Sequence, residues 1–129
     1  MLFRSRNSPN RVMVISGNAG MGKSVIAAEM CKRMQETGRL SGSHFCRHDK
    51  ARHRNPKVML QSLATHLSCC LSEYRKNLVA QLSGNLVLDI NDMEVADLFE
   101  LLFELPLSTL EDPGFNFLVV IDALDESEY

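Results

Sequence analysis

The chain has 129 residues, enough to bury a core but at most one domain in extent. Hydrophobic residues make up 45% and charged residues 23%, a soluble globular composition that excludes disorder along the whole chain. The net charge of −2 hides a division: residues 1–64 carry 12 Lys/Arg against 3 Asp/Glu, and residues 65–129 carry 2 against 13. Such an asymmetry fits a nucleic-acid partner or two charged faces on one fold. No apolar run reaches the length of a membrane span, and the polar, basic start from Met1 to Arg11 has no secretory apolar stretch behind it. Cys31, Cys46, Cys69 and Cys70 show no framework spacing, so reduced thiols and a cytoplasmic setting are expected.

Residues 1–10 read as a polar lead-in to a domain over residues 11–129. Arg11 to Ser16 is a short apolar run with β-branched residues and predicts a buried strand. A Gly-rich turn covers residues 17–22. Lys23 to Glu36 then reads as a helix, because Ile26, Met30 and Met34 recur at i, i+4 and i+8 with Ala27 and Cys31 beside them. Gly38 stops it. His44 to His48 is the next expected strand, and Lys50 to Asn55 a basic loop. Asn55-Pro56 is a helix start, an N-cap residue followed by proline at the first helical position. That helix carries Met59, Leu63 and Leu67 on one side and continues or restarts through Glu73 to Leu82. Ser83-Gly84-Asn85 breaks the pattern, and Leu86 to Ile90 reads as a short extended piece. Asp92 to Leu105 is an amphipathic helix by the spacing of Val95, Leu98, Phe99 and Leu102, ended by Pro106. Asp112-Pro113-Gly114 is a turn, and Phe115 to Ile121 is a second strongly apolar run that ends in Asp122. This alternation predicts an α/β domain with a mostly parallel sheet, its apolar strands covered by helices on both faces.

Gly17-Asn18-Ala19-Gly20-Met21-Gly22-Lys23-Ser24 fits the phosphate-binding loop G-x-x-x-x-G-K-[ST], with a strand expected before it and a helix after. Glycine lets the backbone bend and approach phosphate oxygens as an anion-binding nest. The helix start adds unpaired N–H groups and a positive dipole end. Lys23 would neutralise the β- and γ-phosphates, and the Ser24 hydroxyl would coordinate Mg²⁺. The plain alternative is a Gly-rich turn that happens to end in Lys-Ser.

Phe117 to Asp122 is an apolar strand ending in a carboxylate. Beside a phosphate loop, Asp122 is expected to hold Mg²⁺, a hard cation that keeps oxygen ligands and waters. Asp125 and Glu126 follow, and a carboxylate there would orient or deprotonate the attacking water. Ala123 is small and leaves room beside the phosphates. Taken alone, the segment reads equally as a buried strand running into an acidic turn.

The loop at Gly17–Ser24 together with Val119-Val120-Ile121-Asp122-Ala123-Leu124-Asp125-Glu126 resembles the NACHT branch of the signal-transduction ATPases, the STAND class. Phe45-Cys46-Arg47-His48-Asp49, Asn55-Pro56 and the Leu-rich helix with Ser62-Leu63-Ala64 are similar to the nephrocystin-3-type N-terminal domain. The resemblance covers residues 11–126. It implies a three-layer P-loop NTPase fold, with Gly20, Gly22, Lys23 and Ser24 on the nucleotide, Ser24 and Asp122 at Mg²⁺, and Asp125 or Glu126 on water. It also implies a further strand with a polar sensor residue, inserted between the strands at Val12–Ser16 and Phe117–Ile121, and helical and winged-helix regions beyond. The chain ends three residues after Glu126, so it is expected to be the N-terminal, incomplete part of such a domain.

The function expected from these readings is a Mg-ATP-binding, slowly hydrolysing switch domain of a larger signalling or scaffold protein. A non-hydrolysing, nucleotide-stabilised interaction module is the alternative. Protein partners would bind through regions outside this chain. No guanine-reading Asn-Lys-x-Asp is present, which favours ATP. An Asp-x-x-Asp-Glu cluster leans toward hydrolysis rather than transfer to a small substrate. His44, Cys46, His48 and His53 lack zinc spacing and read as strand and loop residues. The basic run from Arg47 to Lys57 lacks interleaved aromatics and reads as a solvated loop rather than a nucleic-acid patch, although Arg47, at the end of its strand, is placed for a phosphate contact.

Overall fold

In a computed structural model that describes residues 11–47, 49–84, 89–112 and 116–126, the elements follow the order α1 (Lys23–Glu36), β1 (Leu40–Phe45), α2 (Ala51–Arg54), α3 (Pro56–Cys70), α4 (Ser72–Ser83), α5 (Val95–Phe99), a π-helical turn (Glu100–Glu104), α6 (Leu105–Ser108), β2 (Leu118–Asp122) and a 3₁₀ turn (Leu124–Glu126). Among the described residues the sheet has two strands, β1 and β2, and they run parallel. The architecture is therefore mixed α/β, with helices on a small parallel sheet. The expected turn at Asp112-Pro113-Gly114 and most of the extended piece at Leu86 to Ile90 lie outside the described residues.

β1 begins four residues earlier than the sequence pattern predicts. The segment Leu40-Ser41-Gly42-Ser43-His44-Phe45 has three small residues at its centre, and Gly42 among them faces α3. A Cβ on Gly42 would stand 3.1 Å from Leu63 Cδ2 of α3, tighter than an ordinary contact, so glycine lets helix and strand approach without Leu63 giving way. The register is irregular between Leu40 and Gly42: Leu40 lies opposite Leu118 and Gly42 opposite Val119. Ser41, 1% exposed, sits at this irregularity. Its Oγ donates to the Leu118 carbonyl at 3.1 Å, which keeps a buried acceptor paired where the ladder is disturbed.

α3 starts as the sequence requires. Asn55 Oδ1 accepts the Lys57 N–H at 2.9 Å, and Pro56 takes the first helical position. Leu71, with φ −122° and ψ 104°, breaks the helix, and α4 restarts at Ser72. Leu60, Ala64 and Leu67 of α3 form the core with Tyr74 and Leu78 of α4 and with Leu98 and Leu102. α1 packs against both strands, yet none of its residues is fully buried.

Pro106 does not end the fifth helical segment. Helical structure continues through the π-helical turn into α6 at Leu105–Ser108. Proline has no N–H, so the Leu102 carbonyl, one turn back, loses its ordinary helical donor. The Tyr74 hydroxyl fills that vacancy, donating to Leu102 O at 2.6 Å from a fully buried position. Asn77 Nδ2 donates to the Pro106 carbonyl at 3.0 Å one turn further along α4. Two α4 side chains thus carry the chain past a helix breaker.

The strand expected at Arg11–Ser16 is not formed. Val12 is 79% exposed and Val14 82% exposed. An apolar run becomes a strand only by pairing, and no strand among the described residues lies beside it.

Tyr74→Phe removes the hydroxyl that donates to Leu102 O, so a buried carbonyl loses this partner. The expected loss is about 1–3 kcal/mol, read from the urea midpoint at unchanged m-value. Burial also pushes the Tyr74 hydroxyl up to about 12 from an ordinary 10. The fold thus favours the protonated phenol. Its contribution is full below pH 10 and is lost as pH rises through about 12. Unfolding curves over that window are expected to show a decline in wild type that Tyr74→Phe lessens.

Candidate functional site

The loop at Gly17–Ser24 leads directly into α1. Gly20 has φ +78° and Gly22 φ +84°, and a Cβ on either would meet nothing within 4 Å. Backbone conformation, rather than lack of space, therefore demands glycine at both. Gly22 is also the N-cap of α1. It offers no capping side chain, and the first turn holds no acidic residue. The first intrahelical bond runs from Ile26 N to Gly22 O at 3.0 Å, so the N–H groups ahead of it remain for an outside acceptor. A helix start of this kind, positive and uncapped, is suited to an anion.

Lys23 folds its ammonium back over the loop. Nζ donates to Gly17 O at 2.6 Å and to Asn18 O at 2.8 Å. An ammonium has three N–H groups, so one donor remains for a ligand while two hold the loop closed. Asn18, Ala19 and Met21 complete the loop at the surface, Met21 at 71% exposure, and Ser24 is exposed on the first turn of α1.

Asp122 is the last residue of β2, and its carbonyl accepts the Cys46 N–H at 3.0 Å. Ala123 has φ +55°, left-handed backbone on a non-glycine residue. This turns the chain sharply out of the sheet into the 3₁₀ turn that carries Asp125, which is exposed, and Glu126. A side chain in that region costs about 1–2 kcal/mol. The cost falls at the one place where the chain must leave β2 and present acidic residues.

The helix bearing Lys23 and Ser24 packs on the strand bearing Asp122. Cys31, two turns along α1, marks the junction. Burial pushes its thiol up, a hydrogen bond with Ser43 of β1 opposes this, and the Asp122 carboxylate raises it again. α1, β1 and β2 therefore meet around Cys31, Ser43 and Asp122. Sequence reasoning placed Cys31 only on an apolar stripe and did not single out Ser43, because strand register was needed to bring them together.

Other residues considered from sequence have local partners. Arg47 is held bidentate by Asp49, Nε to Oδ1 at 3.1 Å and an Nη to Oδ2 at 2.9 Å. A phosphate contact by Arg47 would compete with that pair. Residues Ala51–Arg54 of the expected basic loop form α2, and Lys57 donates to Asn91 O at 2.7 Å. His44 is buried and its Nε2 bonds the His53 carbonyl at 2.9 Å, while His48 lies outside the described residues. Among the described residues, no three His, Cys, Asp or Glu side chains converge to hold a metal ion.

Relief of the backbone at Ala123 provides a direct check. Ala123→Gly is expected to raise stability by up to about 1 kcal/mol, the left-handed penalty outweighing the added freedom of the unfolded chain. Ala123→Val, branched at Cβ, is expected to lower it. Chemical unfolding of the two variants beside wild type measures both.

Among the described residues no helix is long and apolar enough to cross a membrane. A search of the curated proteins returns no match, and neither does a search of the solved structures. A family profile described as Nephrocystin 3, N-terminal, matches residues 2–129. That match spans nearly the whole chain, which therefore belongs to the nephrocystin 3 N-terminal family.

Proposed function

We propose that the chain is the N-terminal part, over residues 11–129, of a P-loop NTPase domain of the NACHT/STAND kind. It binds Mg-ATP and hydrolyses it slowly, as a switch within a larger cytoplasmic signalling or scaffold protein. The observation that carries this reading is the loop at Gly17–Ser24. Gly20 and Gly22 are both left-handed, the helix start behind them is uncapped, and Lys23 keeps one donor unused.

The residues present fit a nucleotide polyphosphate. The loop and first turn of α1 would take the phosphates through backbone N–H groups. Lys23 would add a fixed positive charge. The Ser24 hydroxyl and Asp122 would hold Mg²⁺, both being hard oxygen ligands. When bound, Mg²⁺ would neutralise charge building on the transferred phosphoryl group. Asp125 or Glu126, delivered by the turn after Ala123, would orient a water and accept its proton. Holding Lys23 on Gly17 O and Asn18 O prepays part of the loop's ordering, so less is lost when a phosphate arrives.

A second reading shares the binding chemistry and omits turnover: a nucleotide-stabilised interaction module. It is favoured by the marginal attachment of the loop region, since α1 has no fully buried residue and Val12 and Val14 lie open. A nucleotide bridging the loop and β2 would then supply stability that packing does not.

Isothermal titration of the 129-residue chain with Mg-ATP is expected to give saturable binding, with GTP a weaker competitor. Lys23→Ala removes a charge-assisted hydrogen bond of about 1.5–3 kcal/mol, which weakens affinity roughly ten- to a hundredfold. Phosphate release that is slow in wild type and lost in Glu126→Gln, with binding retained, supports the switch. Binding without release in any form supports the module. Absence of binding by wild type would sink both.

A further inference from the structure

Much of the acidic half of the chain, apart from Asp122, Asp125 and Glu126, is not accounted for by the nucleotide reading. Between the turn at Asp89–Met93 and the helical run from α5 to α6 lies an open groove of about 710 Å³. Its rim carries Asp89, Asp92, Glu94, Asp97 and Glu100. Its floor is apolar, formed by Met93, Leu101 and Leu105. No cation lines it.

Three observations bear on what belongs there. First, the rim charges have no ion pair among the described residues. Asp89 Oδ1 accepts the Asn91 N–H at 2.9 Å, but among the described residues Asp92, Glu94, Asp97 and Glu100 have no ion-pair partner. Glu94, Asp97 and Glu100 recur every three residues at the start of the helical run, where like charges repel by about 0.2–0.5 kcal/mol per pair. Second, the carboxylates are spread along the groove rather than gathered. No group of three acidic, His or Cys side chains among the described residues is close enough to hold one metal ion. Third, part of the apolar lining is open to a ligand: Leu105 is 40% exposed.

A single cation would use neither the length of the groove nor its floor. Nucleic acid and an anionic lipid surface would be repelled by it. A ligand that satisfies both features must be extended, cationic along its edges and apolar along one face. We infer that this groove is a docking site for a basic amphipathic helix of a partner protein. Lysine or arginine side chains at helical spacing would pair with Asp92, Glu94, Asp97 and Glu100. Leucine-like side chains between them would enter over Met93, Leu101 and Leu105. This is recognition of a helix in a groove, with apolar anchors giving affinity and the charged rim giving register and rate. Met93 suits the floor because an unbranched thioether adapts to different apolar partners. The inference is independent of nucleotide binding, since none of these residues belongs to the loop or to β2.

The test uses the full 129-residue chain and a fluorescently labelled 18-residue peptide of leucine and lysine in amphipathic helical order, followed by anisotropy. Its counterpart carries glutamate at every lysine. Wild type is expected to bind the lysine peptide saturably and not the glutamate peptide. Asp97→Lys with Glu100→Lys, both at exposed positions, is expected to weaken binding at least about tenfold. Glu36→Lys with Glu111→Lys makes the same change in net charge elsewhere and is expected to leave it within about twofold. Leu105→Ser, which keeps every charge, is expected to weaken it several-fold. Equal weakening by the two charge-reversed pairs would reduce the effect to net charge and overturn the proposal. So would no loss with Leu105→Ser, or no binding by wild type. Saturable Mg²⁺ binding that Asp97→Lys with Glu100→Lys abolishes, without lysine-peptide binding, would make the groove a cation site instead. Sedimentation showing dimers that the same variant dissociates would make its occupant a second copy. Either result would overturn the assignment to a partner helix.

Discussion

The fold depends on α3 being buried on two sides. Leu63 meets Gly42 of β1, where a side chain would crowd the contact. Leu60, Ala64 and Leu67 of the same helix enter the core shared with α4 and with Leu98 and Leu102. α3 is thus the wall between a sheet layer and a helical layer. Without it the two strands would keep only the support of α1, which has no fully buried residue, and a two-stranded sheet is marginal alone in water. The buried apolar residues are concentrated on one side of this wall. The helical layer is a close-packed cluster, and the sheet layer is held mainly through β1.

That distribution explains the state of the candidate site. The loop, α1 and β2 stand on the less buried side. Ile26 of α1 and Val119 and Ile121 of β2 remain substantially exposed. Local devices compensate for the thin packing. Lys23 ties the loop to itself, Ser41 mends the strand register, and the Asp122 carbonyl takes the Cys46 N–H. Segments with few buried contacts open most readily and are where ligands change a protein most. On the proposed reading of the Gly17–Ser24 loop, its place on the lightly packed side of this wall would let it respond to a phosphate without disturbing the core.

Much of this was legible from sequence where local chemistry decides. Lys23–Glu36 was bounded correctly because a glycine lies at each end. Asn55-Pro56 fixed the start of α3 through a cap that needs only neighbouring residues. The alternation of elements gave the mixed α/β class. Long-range chemistry hid the rest. β1 was misplaced because its residues are chosen for smallness against α3, and smallness resembles a loop when the helix is unknown. Pro106 read as a stop because the donor that replaces its N–H, Tyr74, lies 32 residues away. Val12–Ser16 read as a strand because apolar periodicity describes what a segment can pair with, not whether a partner stands there. At the site, the glycine positions followed from the motif. The strain at Ala123 did not, since nothing in an alanine signals left-handed backbone.

The charge asymmetry also takes a physical form. In the basic half the described cations often have local work: Lys23 closes the loop, Arg33 pairs with Glu29, Arg47 with Asp49, and Lys57 reaches the Asn91 carbonyl. In the acidic half Glu73 is paired with Lys76, but the carboxylates from Asp92 to Glu100 have no ion-pair partner among the described residues. A protein surface can carry unpaired charge at little cost, because water solvates it. Placing four such groups on the rim of an apolar-floored groove is different, since each makes the floor harder to cover with another part of the same acidic half. The arrangement discourages self-burial and leaves the floor to a cationic visitor. The uncapped helix start at Gly22 and the acidic groove beside α5 thus present opposite electrostatic character, so a chain with a net charge of only −2 has two chemically distinct surfaces.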